Sequence, residues 1–344
     1  MNQSKDIRER KNKPVVVEGH SDIPTDVFLR RANGEHQVLD NRHYERLSQG
    51  GLSLQVMAIY VESRYTPWRS LDMSLRQQEA LLQDLSESQH FFLVGSAKDL
   101  ARVPEEGKIG VLIDLEGAEP LEAGTEMLHL FFRLGTRMLG VTWNQRNALA
   151  SGSDDEISCS GLTSFGREIV TEAAKLGMVI DVSHMSSNGV RDTLSLLKSP
   201  VIASHSGAKA VYDHPRNLSD EHIRSIAKSG GLVGVPAFPK LIAKTNASIQ
   251  SVAEHVVHML KIAGEEHVGI GADFVDFFDD LIKTGKMGEE WTVPEVARTQ
   301  GFWSASEIPN LGKELAIRGV SPSTVEGVLG ENFIRVFERC LPKD

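Results

Sequence analysis

The stretch SFGREIVTEAAKLGMVIDVSH, residues 164–184, reads as one helix followed directly by one strand. Ser164 can cap the helix and Gly177 can end it, because Ser favours helix N-termini and Gly the position just past a C-terminus. The run 177–184 is almost continuously apolar up to His184. Strands buried on both faces look like this, so the stretch predicts an α/β fold with parallel strands.

Seven further runs of this kind lie at 14–20, 52–60, 109–117, 136–143, 200–206, 230–237 and 267–274. Helix patterns separate most of them. In the pattern over 219–231, Ser219 heads a helix that carries acidic residues in its first turn, where the helix dipole favours them. Such alternation predicts a closed (β/α)8 barrel. The alternative is an open doubly wound sheet, but no Gly-rich phosphate loop follows the first run, which disfavours a dinucleotide-binding sheet.

A chain of 344 residues is long enough for one such barrel. We expect a single domain over 1–344, with the barrel at about 14–280 and closing C-terminal helices over 281–344.

The composition excludes several classes of protein. A formal net charge of −10, without any block of basic residues, argues against a nucleic-acid partner. Cys159 and Cys340 are the only cysteines, so any metal ligands must be His and carboxylate groups. No apolar run approaches the roughly 20 residues of a membrane span, and residues 1–14 lack the apolar core of a secretory signal. A cytoplasmic protein without membrane contact is expected.

Polar residues recur where the predicted strands end. The carboxyl ends of barrel strands converge on one rim, so these side chains are expected to face one cavity. In order along the chain they are His20 and Asp22, Glu116, Trp143, His184, His205 and Asp273. His20 and Asp22 are two residues apart and would point the same way in an extended segment.

Taken singly, each of these residues has an ordinary interpretation. Glu116 could form a salt bridge at a strand tip, the histidines could be structural, and Asp273 could cap a helix. Ionisable residues with purely structural roles would have no reason to cluster at the ends of five strands, and the set exceeds what one tetrahedral zinc needs.

Two metal ions sharing one bridging carboxylate would use all the ligands. His20 and Asp22 would hold one ion, His184 and His205 the other, and Glu116 would lie between them. A hydroxide held between two cations can attack a carbonyl at neutral pH. Asp273 could then pass a proton to the leaving group.

The chain resembles the membrane dipeptidase (renal dipeptidase) family of zinc peptidases, family M19, a branch of the amidohydrolase-like barrels. The resemblance runs in family order from about residue 14 to 337. It is carried by EGHSDIP, LIDLEGAEPL, GLTSFGREIVTEAAKLGMVIDVSHMS, VIASHSGAKAVYDHPRNLSDE, HVGIGADF and VLGENFIRVF.

The resemblance implies a zinc-dependent dipeptidase, with two Zn²⁺ per chain held by the same five ligands. It also implies that Asp273 is the acid/base residue and that Arg216 binds the carboxylate of the substrate, a task that suits a guanidinium fork. L,D-dipeptides are plausible substrates, because several members accept D-residues at the C-terminal position. The family is often dimeric, so a homodimer is possible.

Trp143 departs from the family pattern. It stands where the mammalian enzyme has a histidine that is thought to stabilise the tetrahedral intermediate, and we expect it to shape the substrate pocket. The alternatives are a binuclear hydrolase of another amide, a lactone or a phosphoester, and an inactive metal-binding relative. His and carboxylate ligands also accept manganese or cobalt.

Overall fold

The computed structural model of the chain describes residues 14–103, 108–122, 124–158, 160–279, 281 and 298–344. The N-terminal segment 1–13, Cys159 and residues 282–297 of the predicted C-terminal helical segment lie outside the described residues.

All eight predicted runs contain a strand, and the described part of the chain has a ninth that was not predicted. The strands are β1 (Val17–Glu18), β2 (Leu54–Tyr60), β3 (Phe91–Leu93), β4 (Ile109–Glu116), β5 (Thr136–Gly140), β6 (Val179–Asp181), β7 (Val201–Ile202), β8 (Val233–Val235) and β9 (Val268–Ile270). The unpredicted strand β3 pairs only with the beginning of β4, so it lies beside the ring of the other eight.

The eight predicted strands close into a ring. Parallel pairing runs β1-β2-β4-β5-β6-β7, and β8 pairs with β9. A parallel bridge between Ala203 and Val233 joins β7 to β8. The amide of Gly19 donates to the carbonyl of Ile270 at 2.9 Å and joins β9 back to β1. The prediction of a (β/α)8 barrel is therefore confirmed, and the open sheet is excluded.

Helices follow most of the strands. They are α1 (Ile23–Ala32), α2 (Tyr44–Gln49), α3 (Ser70–Glu87), α4 (Ala97–Leu100), α5 (Thr125–Arg133), α6 (Ser164–Leu176), α7 (Ser187–Leu196), α8 (Asp220–Lys228), α9 (Pro239–Ile242), α10 (Ile249–Ala263), α11 (Ile308–Ile317), α12 (Pro322–Glu326) and α13 (Asn332–Cys340). None of the described helices is long and apolar enough to cross a membrane.

The ends of two helices can be compared directly with the residues predicted to cap them. In α6 the N-cap is Thr163, whose side chain accepts from the amide of Gly166, so the choice of Ser164 was wrong by one residue. Gly177 ends that helix in the left-handed conformation, with φ +84°, as expected. Ser219 caps α8 by accepting from the amide of His222.

The barrel interior changes from apolar to polar along the strands. At its lower end, Leu112 of β4 and Val179 of β6 form one apolar cluster with Phe333 and Phe337 of α13. Two residues further along the same strands, on the same face, stand Asp114 and the buried Asp181. The fold thus closes one end of the barrel with a helix and gathers polar groups towards the other.

The last described helices pack on this structure, since Phe333 of α13 contacts the barrel through the apolar cluster. The organisation as a single domain over 1–344 stays a prediction.

Candidate metal centre

Glu116 ends β4, and its carboxylate is the meeting point of three imidazoles. Its oxygens lie 3.5 Å from Nε2 of His20, 3.1 Å from Nε2 of His184 and 3.7 Å from Nε2 of His205. All four side chains are less than a tenth exposed. The structure therefore brings together four of the five residues predicted to bind metal, although they come from four different strand ends.

The ring nitrogens of His184 and His205 face each other, with their Nε2 atoms 2.7 Å apart. The other nitrogen of His184, Nδ1, lies 2.7 Å from Oδ1 of Asn144. An amide oxygen can only accept, so Nδ1 of His184 carries the proton.

A similar restraint acts on His205. Ser204 donates its hydroxyl proton to Oδ2 of Asp181 at 2.5 Å. The same hydroxyl oxygen lies 2.7 Å from Nδ1 of His205 and is left to accept from it. Nδ1 of His205 is therefore the protonated nitrogen. Both facing Nε2 atoms consequently present lone pairs to each other.

Two lone pairs at this separation repel, and a cation between or beside them removes the repulsion. Imidazole and carboxylate groups are common zinc ligands, and a histidine ligand usually donates its second N–H to a fixed acceptor. The donor set therefore fits divalent metal ions. Nδ1 of His20 and Oδ1 of Asp22 are also buried and lack a hydrogen-bond partner among the described residues.

Asp22 lies near the centre, but its backbone is not in the extended conformation that the sequence predicted. It stands at the N-cap of α1 with φ −83° and ψ +20°, so the segment is not extended there. The inference from strand period was wrong, because β1 already ends at Glu18. The carboxyl group is nevertheless buried, and its pKa is raised well above normal by burial and by the charges of Glu116 and Asp273.

Other predicted residues lie beyond their strands as well. His184 follows the end of β6 and Asp273 follows the end of β9. Both adopt left-handed backbone conformations, with φ +66° and +56° respectively. Such conformations cost about 1–3 kcal/mol in a residue other than Gly and concentrate at functional sites.

The centre is strongly polarised. Burial raises the pKa of Glu116, but His20 and His184 outweigh it and hold that pKa well below its usual range. Burial, with the nearby charge of Arg216, lowers the pKa of His184 to about 3. Burial likewise holds the pKa of His205 well below normal. The anionic carboxylate of Glu116 thus meets two neutral imidazoles, those of His184 and His205, in the protonation states that bind metal. Burial lowers the pKa of His20 too, but Glu116 outweighs it and raises that pKa well above normal.

Arg216 is a buried cation beside the centre. It is 7% exposed, and its Nη2 donates to the carbonyl of His205 at 3.3 Å. Burial lowers its pKa to about 10, so it stays charged at neutral pH. No carboxylate of the described residues lies within ion-pair distance of it. A buried charge without a counter-ion is costly, so this position suits an anionic ligand.

Asp273 lies at the same rim. Its Oδ1 is buried and has no hydrogen-bond partner in the described part of the chain. Its pKa is raised above normal, because burial and the charge of Glu116 outweigh the charges of His20 and Arg216.

Trp143 forms part of an aromatic wall. Its ring centroid lies 5.8 Å from that of His184, nearly parallel to it, and 5.3 Å from that of Tyr60. Trp143 is only partly buried. Its role in shaping a substrate pocket stays a prediction.

Sequence reasoning missed the residues that fix the histidine tautomers, Asn144, Asp181 and Ser204. A signal was present for two of them, because Asp181 interrupts the apolar run before His184 and Ser204 directly precedes His205.

Comparisons with known proteins point to one family. The model of the membrane dipeptidase family, peptidase family M19, matches residues 4–341. Dipeptidase 3 of Mus musculus is 30% identical over 339 residues, which cover 94% of this chain and 64% of that protein. An uncharacterized dipeptidase of Schizosaccharomyces pombe is 26% identical, over 98% of this chain and 85% of its own length. The chain thus spans just under two thirds of the mouse relative.

Solved structures share the fold. An amidohydrolase from Pseudomonas aeruginosa superposes with a TM-score of 0.80 at 27% identity, covering 95% of this chain and 97% of the other. A metallo peptidase from Rhodobacter sphaeroides, liganded with a phosphinate mimic of the dipeptide L-Ala-D-Ala, gives a TM-score of 0.80 at 23% identity. It covers 96% of this chain and all of the other.

Proposed function

Because the chain belongs to the membrane dipeptidase family, peptidase family M19, we propose that it is a metal-dependent dipeptidase. The proposal rests on the Nε2 atoms of His184 and His205, which lie 2.7 Å apart beside Glu116 and present lone pairs to each other. A bound cation would remove the repulsion between them. The buried Arg216 beside this pair has no ion-pair partner among the described residues, and it supplies the anion-binding group that a dipeptide with a free C-terminus requires.

In this proposal His20 and Asp22 would hold one ion, His184 and His205 would hold a second, and Glu116 would serve both. Two bound divalent cations would polarise the scissile carbonyl and lower the pKa of water enough for attack near neutral pH. Zinc suits this set of nitrogen and oxygen donors. Manganese and cobalt suit it too, and the metal content of the native protein would identify the ion.

The protein's own groups complete the reaction. Arg216 binds the C-terminal carboxylate and sets the distance from that end of the substrate to the reacting carbonyl. Asp273 accepts a proton from water and delivers it to the departing amine. Trp143 and Tyr60 form an apolar wall that excludes water from one side of the substrate.

A panel of dipeptides assayed with and without a chelator tests the proposal. We expect hydrolysis of unblocked L,L- or L,D-dipeptides, loss of the activity on chelation and its return when zinc is added. The L,D arm is included because the Rhodobacter sphaeroides relative binds a mimic of L-Ala-D-Ala. Cleavage of lactones or phosphoesters without cleavage of any dipeptide would contradict a peptidase and favour another binuclear hydrolase. Metal binding without any hydrolysis would favour an inactive relative.

The Arg216→Met variant is expected to raise KM for dipeptides roughly 10- to 100-fold, as the loss of a charge-assisted hydrogen bond does. A C-terminally amidated dipeptide, which has no carboxylate, should be almost indifferent to the change. Steady-state kinetics on both substrates measure the difference. The exposed Arg224, which pairs with Asp220 on α8, provides the control variant Arg224→Met. An equal loss on both substrates would contradict carboxylate binding by Arg216.

The cytoplasmic location and the homodimer remain predictions. Cell fractionation and size-exclusion chromatography with light scattering would test them.

A further inference from the structure

The seam where the barrel closes depends on a side chain. Among the described residues, two hydrogen bonds join the β1 segment to the β9 segment. One is the main-chain bond from Gly19 to Ile270. The other runs from the amide of Ala272 to Oε1 of Glu18, at 2.6 Å. The carboxyl group of Glu18 thus takes the place of a main-chain acceptor that β1, only two residues long, does not supply.

The second oxygen of Glu18 is also fully engaged. Oε2 accepts from the side-chain amide of Gln55 in β2, and from the main-chain amide of His20 at 3.3 Å. Glu18 is 1% exposed. Its carboxyl group therefore links three neighbouring segments of the barrel in an environment where such bonds are strong.

The hydrogen bonds of the Glu18 carboxyl group lie next to two residues with proposed chemical roles, Asp273 and His20. Asp273 directly follows Ala272, whose carbonyl in turn accepts from the amide of Ala237 at 2.8 Å. Ala272 is therefore held on both sides, just before the left-handed turn at Asp273. On the β1 side, Glu18 also accepts from the main-chain amide of His20, the proposed metal ligand. The same carboxyl group thus restrains the chain at His20 and just before Asp273.

We propose that Glu18 is a positioning residue that sets the location of Asp273 relative to the metal ligand His20. The proposal rests on the proposed function, in which Asp273 transfers the proton. A displacement of about 1 Å at a catalytic group can cost about 10²-fold in rate. A hydrogen bond one residue away from Asp273 is well placed to prevent such a displacement.

Two variants of similar size separate the hydrogen bond from the volume of the side chain. Glu18→Met fills the space but cannot accept from Ala272. Glu18→Gln keeps an oxygen that can accept. We expect Glu18→Met to lower kcat up to about 10²-fold with little change in KM or bound metal, and Glu18→Gln to restore most of the rate. Gln55→Met is the matched control, because it removes a partner of Oε2 and leaves the bond from Ala272 to Oε1.

A readout that does not involve activity is hydrogen–deuterium exchange of the peptide covering residues 271–273. Exchange should be faster in Glu18→Met than in wild type, and close to wild type in Glu18→Gln and Gln55→Met. If Glu18→Met does not fold, Glu18→Asp replaces it, since the shorter carboxylate cannot reach the amide of Ala272.

Unchanged exchange and kcat in a folded Glu18→Met protein would overturn the proposal. A fall in kcat that matches a loss of metal would also overturn it, because Glu18 would then act through His20 alone. The exchange comparison decides whether Glu18 holds Ala272 even if the wild-type protein cleaves no dipeptide. Failure of the proposed function is therefore distinguishable from failure of this inference.

Discussion

The Glu116→Gln variant is expected to lose its bound metal and with it nearly all hydrolytic activity. The Glu116 carboxylate lies within 3.7 Å of the Nε2 atoms of three histidines. A neutral amide would remove the carboxylate charge that is proposed to lie between the two ions, and their mutual repulsion would be less well offset. The loss of metal affinity should exceed the 10- to 100-fold typical of residues that merely orient a ligand.

Elemental analysis of the purified variant, together with the dipeptide assay, measures this effect. Glu119→Gln is the matched control, because Glu119 is also buried and lies three residues further along. It is expected to keep its metal. Normal metal content and activity in Glu116→Gln would show that Glu116 is not a shared ligand.

The Asp273→Asn variant is expected to keep its metal and lose kcat by about 10²- to 10⁴-fold, the range for a lost general acid or base. Asn is the appropriate replacement because it tolerates the left-handed backbone, at φ +56°, better than most residues. The variant should therefore fold normally while losing the proton-transfer group.

Single-turnover and steady-state rates, measured beside metal content, test this expectation. Asp276→Asn serves as the control, since Asp276 lies three residues further on and contacts Arg46. An Asp273→Asn protein without metal would make Asp273 a ligand. One with a normal kcat would remove it from the reaction.

The sequence predicted the barrel well because buried parallel strands need nearly continuous apolar runs, and all eight runs contain strands. It missed β3, whose three residues pair with the beginning of β4 outside the ring. So short a strand gives no distinct pattern. The sequence predicted that the barrel closes but not how Glu18 takes part, because the side chain of Glu18 and the amide of Ala272 are 254 residues apart in sequence.

The candidate site was predictable where its residues lie at or just beyond the carboxyl ends of strands. His20, Glu116, His184 and His205 were found in this way, and the structure brings them together. Asp22 was identified from a strand period that does not apply, since the residue stands at the N-cap position of α1 in a non-extended conformation.

The tautomers of the histidines could not be inferred from sequence. Asn144 lies 40 residues from His184, and no local pattern connects the two. The chain from Asp181 through Ser204 to His205 likewise becomes visible only when β6 and β7 lie side by side. These contacts fix the tautomers of His184 and His205, so that the lone pairs of the two Nε2 atoms point at each other.

The most direct test of the central claim is the number of metal ions bound per chain in the purified protein, measured by elemental analysis after dialysis. The site described above predicts about two divalent ions per chain, with zinc restoring that number after chelation. A protein that binds no divalent metal, even when zinc is supplied in excess, would contradict the assignment of His20, Asp22, Glu116, His184 and His205 as ligands.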